Sequence, residues 1–189
     1  MIAAGKSIDV VVRPDPVSCA ATVTQLVALA DVCAQAEEML GRHGQAGEEE
    51  FGGMSGIVYR HSTTLLGQAG HRIGGRSRRL AEGLSAYAAG MTEVQRLMDD
   101  AVAAASPHLL VGGGRIFSPA EPARPDDTVV EQAWSAWHEA VSSWRAGRRL
   151  EEQTCQEWLC VVNRGVVIDD DDPPTLDLPL EPPFVGGIR

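Results

Sequence analysis

The sequence predicts an all-α protein: an elongated antiparallel helical hairpin plus a third long helix, forming a three-helix bundle with a disordered, acidic, proline-rich tail. Three observations lead there. After Asp15-Pro16 no proline appears until Pro107, which leaves an uninterrupted stretch long enough for two helices. Hydrophobic residues make up 44% of the chain but aromatics only 5%, an alanine-rich composition suited to helices packing on helices. Within three segments, apolar residues recur at alternating spacings of three and four. A length of 189 residues fits one domain.

The first helix opens at Asp15-Pro16, a capping residue followed by proline at an N1-like position. Its seam reads Cys19, Val23, Leu26, Ala30, Cys33, Glu37 and Leu40, with one polar interruption. Gly41 and Gly44 are expected to stop it, giving a helix over 17–41 and a Gly/Glu-rich turn over 41–53.

The second helix is predicted over 54–105. Every seventh residue from Tyr59 gives Tyr59, Leu66, Ile73, Leu80, Tyr87, Val94 and Ala101. The companion seam is Gly56, Thr63, Gly70 and Ser77, then Leu84, Met91, Met98 and Ala105. Small companions in the first half permit close approach of a partner helix, although each interior glycine costs a helix about 1 kcal/mol relative to alanine. A bend near Gly74 is expected, and Ser106-Pro107 ends the run. Residues 106–127, with Gly112-Gly113-Gly114, read as a long flexible connection.

Asp127 or Thr128 caps a third helix over 128–163, whose seam includes Trp134, Trp137, Trp144 and Trp158. These tryptophans either supply the core that the alanine-rich helices lack or present an aromatic partner surface. In the tail, 164–189, Asp169, Asp170, Asp171 and Asp172 precede a proline-rich end that cannot bury enough apolar surface to order itself.

No catalytic signature is complete. His138-Glu139 begins like H-E-x-x-H, but Ser142 stands where the second histidine belongs. Ser55 follows Gly53 at nucleophile-elbow spacing, but Ile57 replaces the closing glycine. No G-K-[ST] follows the triple glycine. Cys19, Cys33, Cys155 and Cys160 contain no C-x-x-C pair, so neither a metal site nor a cofactor site is expected. Helical spacing separates Cys19 from Cys33 and Cys155 from Cys160, which leaves free thiols on apolar seams or bridges between helices one and three. A net charge of −10 argues against nucleic acid as the main partner. Arg72, Arg76, Arg78 and Arg79, and Arg145, Arg148 and Arg149, read as solvated faces able to pair with Glu37, Glu38 or Glu48, Glu49 and Glu50. No stretch is expected to span a membrane or act as a signal peptide.

The segment Phe51-Gly52-Gly53-Met54-Ser55-Gly56-Ile57-Val58-Tyr59-Arg60 resembles the W-x-G turn of the WXG family, with Phe51 at the Trp position and Gly53 at the glycine. The run from Leu80 through Leu84 and Tyr87 to Ala89 is similar to helix two of the type VII (ESX) secretion leader domain of actinobacteria. The resemblance covers about residues 15–105. It implies a hairpin-turn motif at Phe51, Gly53 and Tyr59, and a seam including Leu80, Leu84, Tyr87 and Met91 that meets a protein partner. That partner is a small helical WXG-like protein or a secretion component, joined in a homo- or heterodimer. It also implies a non-enzymatic role in type VII secretion as substrate, leader or co-secreted partner, secreted with a cytoplasmic pool. The Y-x-x-x-[DE] export signal is absent, since Thr63 lies four beyond Tyr59 and Met91 four beyond Tyr87. Export is therefore expected to need a partner. The alternative is a cytoplasmic adaptor or chaperone for another helical protein.

Overall fold

The computed structural model describes residues 6–50, 53–119 and 128–166. In chain order the elements are β1 (Ser7–Asp9), α1 (Pro16–Glu50), α2 (Gly53–Ala105), β2 (Val111–Gly112), β3 (Arg115–Phe117) and α3 (Thr128–Val166). The predicted class holds: a long antiparallel hairpin, α1 and α2, with a third long helix. Helix α3 runs to Val166, three residues into the predicted tail, and the rest of the tail prediction, 167–189, falls on residues outside those described.

Helix α1 is longer than expected. It runs through Gly41 and Gly44 to Glu50, so only residues 51 and 52 separate it from α2. Neither glycine ends it. Gly44 faces Thr63 of α2, where an added Cβ would sit 3.2 Å from the Thr63 Oγ1, so tertiary contact outweighs the low helix propensity there. The seam of α1 is the expected one with a single shift: Ala36 is half-buried where Glu37 was placed, and Glu37 is exposed. Val17–Gln45, with mean hydropathy 1.6, is long and apolar enough by length and composition to cross a membrane, contrary to the expectation that no stretch is. Only 11% of that window is buried in the fold.

Helix α2 is the spine. At about 1.5 Å per residue its 53 residues span about 80 Å, against about 52 Å for the 35 residues of α1 and about 58 Å for the 39 of α3. Helix α1 runs antiparallel along its amino-terminal part, with Gly74 against Ala30 and Cys33, and Gly70 against the Cys33 carbonyl. Helix α3 runs antiparallel along its carboxyl-terminal part. There Gly147 meets Leu97 and Met98, Thr154 meets Gly90, and Val161 meets Gly83. Both helices pack on α2 far more than on each other.

The connection after α2 is a β-hairpin, which corrects its reading as a flexible linker. Gly113 and Gly114 adopt φ of 60° and 73°, the left-handed pair that a tight two-residue hairpin turn requires. Strand β3 pairs antiparallel with β2 and also with β1, giving the order β1-β3-β2 with Ile8 opposite Ile116. In the amino-terminal segment Ile8 and Val10 are buried while Asp9 and Val11 are exposed, the period-two alternation of a half-buried strand. The core lies where this sheet, α2 and α3 converge: Ile8, Val10 and Ile116 join Met91, Val94, Met98 and Trp137.

The tryptophans serve this core. Trp137 is buried, and Trp134 and Trp144 pack on its margin. Trp144 Nε1 donates to the Asp9 carbonyl at 2.8 Å, and Arg148 Nη2 donates to the same oxygen at 2.8 Å. Arg148 also pairs with Glu151, so it fastens the amino-terminal segment to α3 instead of forming a solvated face.

The helical glycines divide by what surrounds them. An added Cβ at Gly90 would lie 2.6 Å from Thr154 Oγ1 and 2.7 Å from its Cγ2, whereas one at Gly67 meets nothing within 4 Å. Gly67→Ala should therefore stabilise the protein by up to about 1 kcal/mol, and Gly90→Ala should destabilise it by about 1–3 kcal/mol through overpacking. Urea denaturation of the two variants beside the parent checks the opposite signs.

Candidate interaction surface

The two heptad seams of α2 have different fates. The companion seam is covered along its length: Gly56, Thr63, Ser77, Leu84, Met91, Met98 and Ala105 are buried, and Gly70 is half-buried. Small side chains let α1 lie close against its first half, and the buried Thr63 hydroxyl donates to the Arg60 carbonyl at 2.9 Å. Among the described residues no buried side-chain nitrogen or oxygen lacks a hydrogen-bond partner.

The other seam changes partway. Val94 and Ala101 are fully buried, and Tyr87 and Leu80 are half-buried. Ile73, Leu66 and Tyr59 are 49%, 59% and 39% exposed. Tyr87 and Trp158 have ring centroids 6.0 Å apart, so this seam borders the track that α3 occupies. From the pairings of Gly90 with Thr154 and Gly83 with Val161, the same register brings Val166, the last described residue, level with Arg78. The track goes on; α3, as far as it is described, does not. One heptad before Gly83 stands Arg76, half-buried, with the exposed Arg72 and Arg79 beside it. The continuation of the track is thus Arg76 and Ala69, with the exposed Ile73 and Leu66 to one side.

These arginines do not pair with Glu37 or Glu38, and the expected partners Glu48, Glu49 and Glu50 lie outside the described side chains. Glu37 contacts His71 at 3.3 Å, Glu38 pairs with Arg42 within α1, and Asp31 pairs with Arg78 at 3.7 Å. Among the described residues Arg72, Arg76 and Arg79 have no ion pair. From Gly53 to Leu80 α2 carries five arginines, at 60, 72, 76, 78 and 79, and no carboxylate.

Between α1 and α2 lies a groove of about 720 Å³, lined by Glu37, Leu40, Arg60, Thr64, His71, Arg72 and others. Gly41, Gly44 and Gly67 leave it open. Among the described residues no group of three His, Cys, Asp or Glu side chains is placed to hold a metal ion.

Of the predicted site residues, Phe51 lies outside those described. Gly53 begins α2 with φ 73°, and an added Cβ there meets nothing within 4 Å. Its role is therefore conformational; no crowded turn is involved. Leu84 and Met91 belong to the buried core. Tyr87 joins Trp158 where all three helices come near, and burial pushes its hydroxyl pKa up, with Cys155, Cys19 and Glu151 adding to the effect. The raised value means that Tyr87 favours the fold below the ordinary tyrosine range and loses that contribution as pH rises through the raised pKa. The cysteines are free; Cys19, Cys33 and Cys155 are half-buried and Cys160 is exposed. Sequence reasoning missed Gly83, Gly90 and Gly147, whose lack of a side chain brings α2 and α3 together.

Comparison with protein families, curated proteins and solved structures gives no match to this chain.

If the first half of the seam is surface and the second half core, polar substitutions separate them. Leu66→Gln with Ile73→Gln should cost less than about 1 kcal/mol, whereas Met91→Gln should cost about 3 kcal/mol or more. Thermal melts of the two variants give the comparison.

Proposed function

We propose that this protein acts without catalysis, by helix-to-helix association, as a type VII secretion-associated protein: a secreted substrate, a leader or a co-secreted partner. The observation that carries the reading is the exposed apolar pair Leu66 and Ile73 on a hairpin of two long helices. A helical surface of this kind gains stability when a partner helix covers it. The glycine at the start of α2, in a backbone conformation with φ 73°, supports the resemblance of 51–60 to a W-x-G turn. The partner would be a small helical WXG-like protein or a secretion component, and it would supply the export signal that this chain lacks.

The test is immunoblotting of medium and lysate from the host, from a strain without the secretion ATPase and from one without small helical partner proteins. The protein should reach the medium only in the first. Gly53→Leu should reduce export as well, because a side chain at positive φ strains the turn by about 1–2 kcal/mol. Equal retention in all three lysates would replace this reading with that of a cytoplasmic adaptor or chaperone, and export without the partner would remove the heterodimer.

A further inference from the structure

Neither Leu66 nor Ile73 lines the groove between α1 and α2, and its chemistry differs from theirs. The groove holds about 720 Å³, a volume within the span of roughly 300 to 1,000 Å³ typical of sites for small organic molecules, and its wall is more apolar than polar. Glycine makes the room. An added Cβ at Gly41 or at Gly67 would meet nothing within 4 Å, so these two residues, which weaken a helix, leave a gap instead of bringing a neighbour close. Leu40, half-buried, is the large apolar side chain of the wall. Along α2 the groove is edged by Arg60, Thr64, Gln68 and Arg72, one at every fourth position, so a cation stands at each end. At about 1.5 Å per residue the two arginines are about 18 Å apart along the helix. Neither is in an ion pair among the described residues, and Arg60 is half-buried. Glu37 is the one carboxylate among the described residues lining the groove, and it contacts His71 at 3.3 Å.

We propose that this groove binds an elongated organic dianion, a molecule with an apolar middle and a carboxylate toward each end. The middle lies over Leu40 and fills the gap at Gly41 and Gly67, where it leaves water. Each carboxylate is held by one guanidinium, Arg60 at one end and Arg72 at the other, whose planar fork can donate two parallel N–H bonds to the two carboxylate oxygens. Thr64 adds little to recognition, because its hydroxyl already donates to the Arg60 carbonyl at 2.9 Å. A molecule with one acidic end keeps one of the two arginine contacts, and an uncharged chain keeps neither. Only the dianion complements both ends. The site is separate from the surface offered to a partner helix, and it stands whether or not the hairpin serves secretion.

Isothermal titration calorimetry of the full-length chain with dodecanedioate, ω-hydroxydodecanoate and dodecane-α,ω-diol, three chains of one length with two, one and no carboxylates, tests the proposal. The diacid should bind saturably, one molecule per chain, with affinity falling about tenfold for the hydroxyacid and about tenfold again for the diol as each charge-assisted contact is lost. Arg60→Gln and Arg72→Gln should each reduce diacid binding to the level of the hydroxyacid. Gly41→Leu with Gly67→Leu should abolish binding by filling the groove, at an unchanged or raised Tm, because an added Cβ at either position meets no neighbour. Leu66→Gln with Ile73→Gln, which alters the other surface, should leave binding as it was. Diacid affinity no greater than that of the diol would overturn the proposal, as would binding that survives the paired leucines or is lost with the paired glutamines. So would saturation of the groove by an extended acidic peptide where the diacid does not bind.

Discussion

Two heptad seams run the length of α2, about 80 Å, and among the described residues no other helix is long enough to cover either one from end to end. That mismatch organises the rest of the structure. The amino-terminal part of α2 is served by α1 and the carboxyl-terminal part by α3, and the three helices come near one another at Tyr87. Where α1 is absent, the small sheet closes the core, with Ile8, Val10 and Ile116 reaching Met91 and Met98. A three-stranded sheet of such short strands would be marginal alone. It persists because α3 grips it, with the Trp144 indole and the Arg148 guanidinium both donating to the carbonyl of Asp9.

Side-chain size then decides which seam is filled. Gly70, Gly74 and Ser77 let α1 approach the backbone of α2 closely, and Gly83 and Gly90 do the same for α3. Close approach gains dispersion contacts along the helix but leaves little apolar area buried between α1 and α2, where Ala30 is the buried residue contributed by α1. The larger side chains of that region, Leu66 and Ile73 on α2 and Val32 and Met39 on α1, face outward. The hairpin end is therefore the part of the molecule most in need of a further contact, and its charges are divided: arginines on α2, and carboxylates at Asp31, Glu37 and Glu38 on α1.

Much of this was legible in the sequence. The heptad counts on α2 located both seams, and the sudden change from Gly56, Thr63, Gly70 and Ser77 to Leu84, Met91 and Met98 marked where the covering element changes. The tryptophan stripe identified the third helix and its inward face. What periodicity does not encode is which neighbour covers a seam, so the exposure of Leu66 and Ile73 emerged only with the register of α3. Helix α1 outran its predicted end because the Gly44 contact with Thr63 is tertiary. The strands were missed for a different reason. Gly113-Gly114 between Val111 and Ile116 is a hairpin signal, but three consecutive glycines also suit a linker, and the pairing with Ile8 spans more than a hundred residues. For the interaction surface, the arginines were visible as a cluster, while their position at the end of the α3 track was not.

The central claim is that α2 is one unbroken helix with its partners distributed along it, and small-angle X-ray scattering tests it most directly. A rod of about 80 Å has a radius of gyration of about 23 Å, well above the roughly 16 Å expected for a compact domain of this length. The account predicts a value near or above the former and a maximum dimension of about 80 Å or more. A radius of gyration near 16 Å would mean that α2 folds back at its glycines and that both seams are covered, contradicting the account.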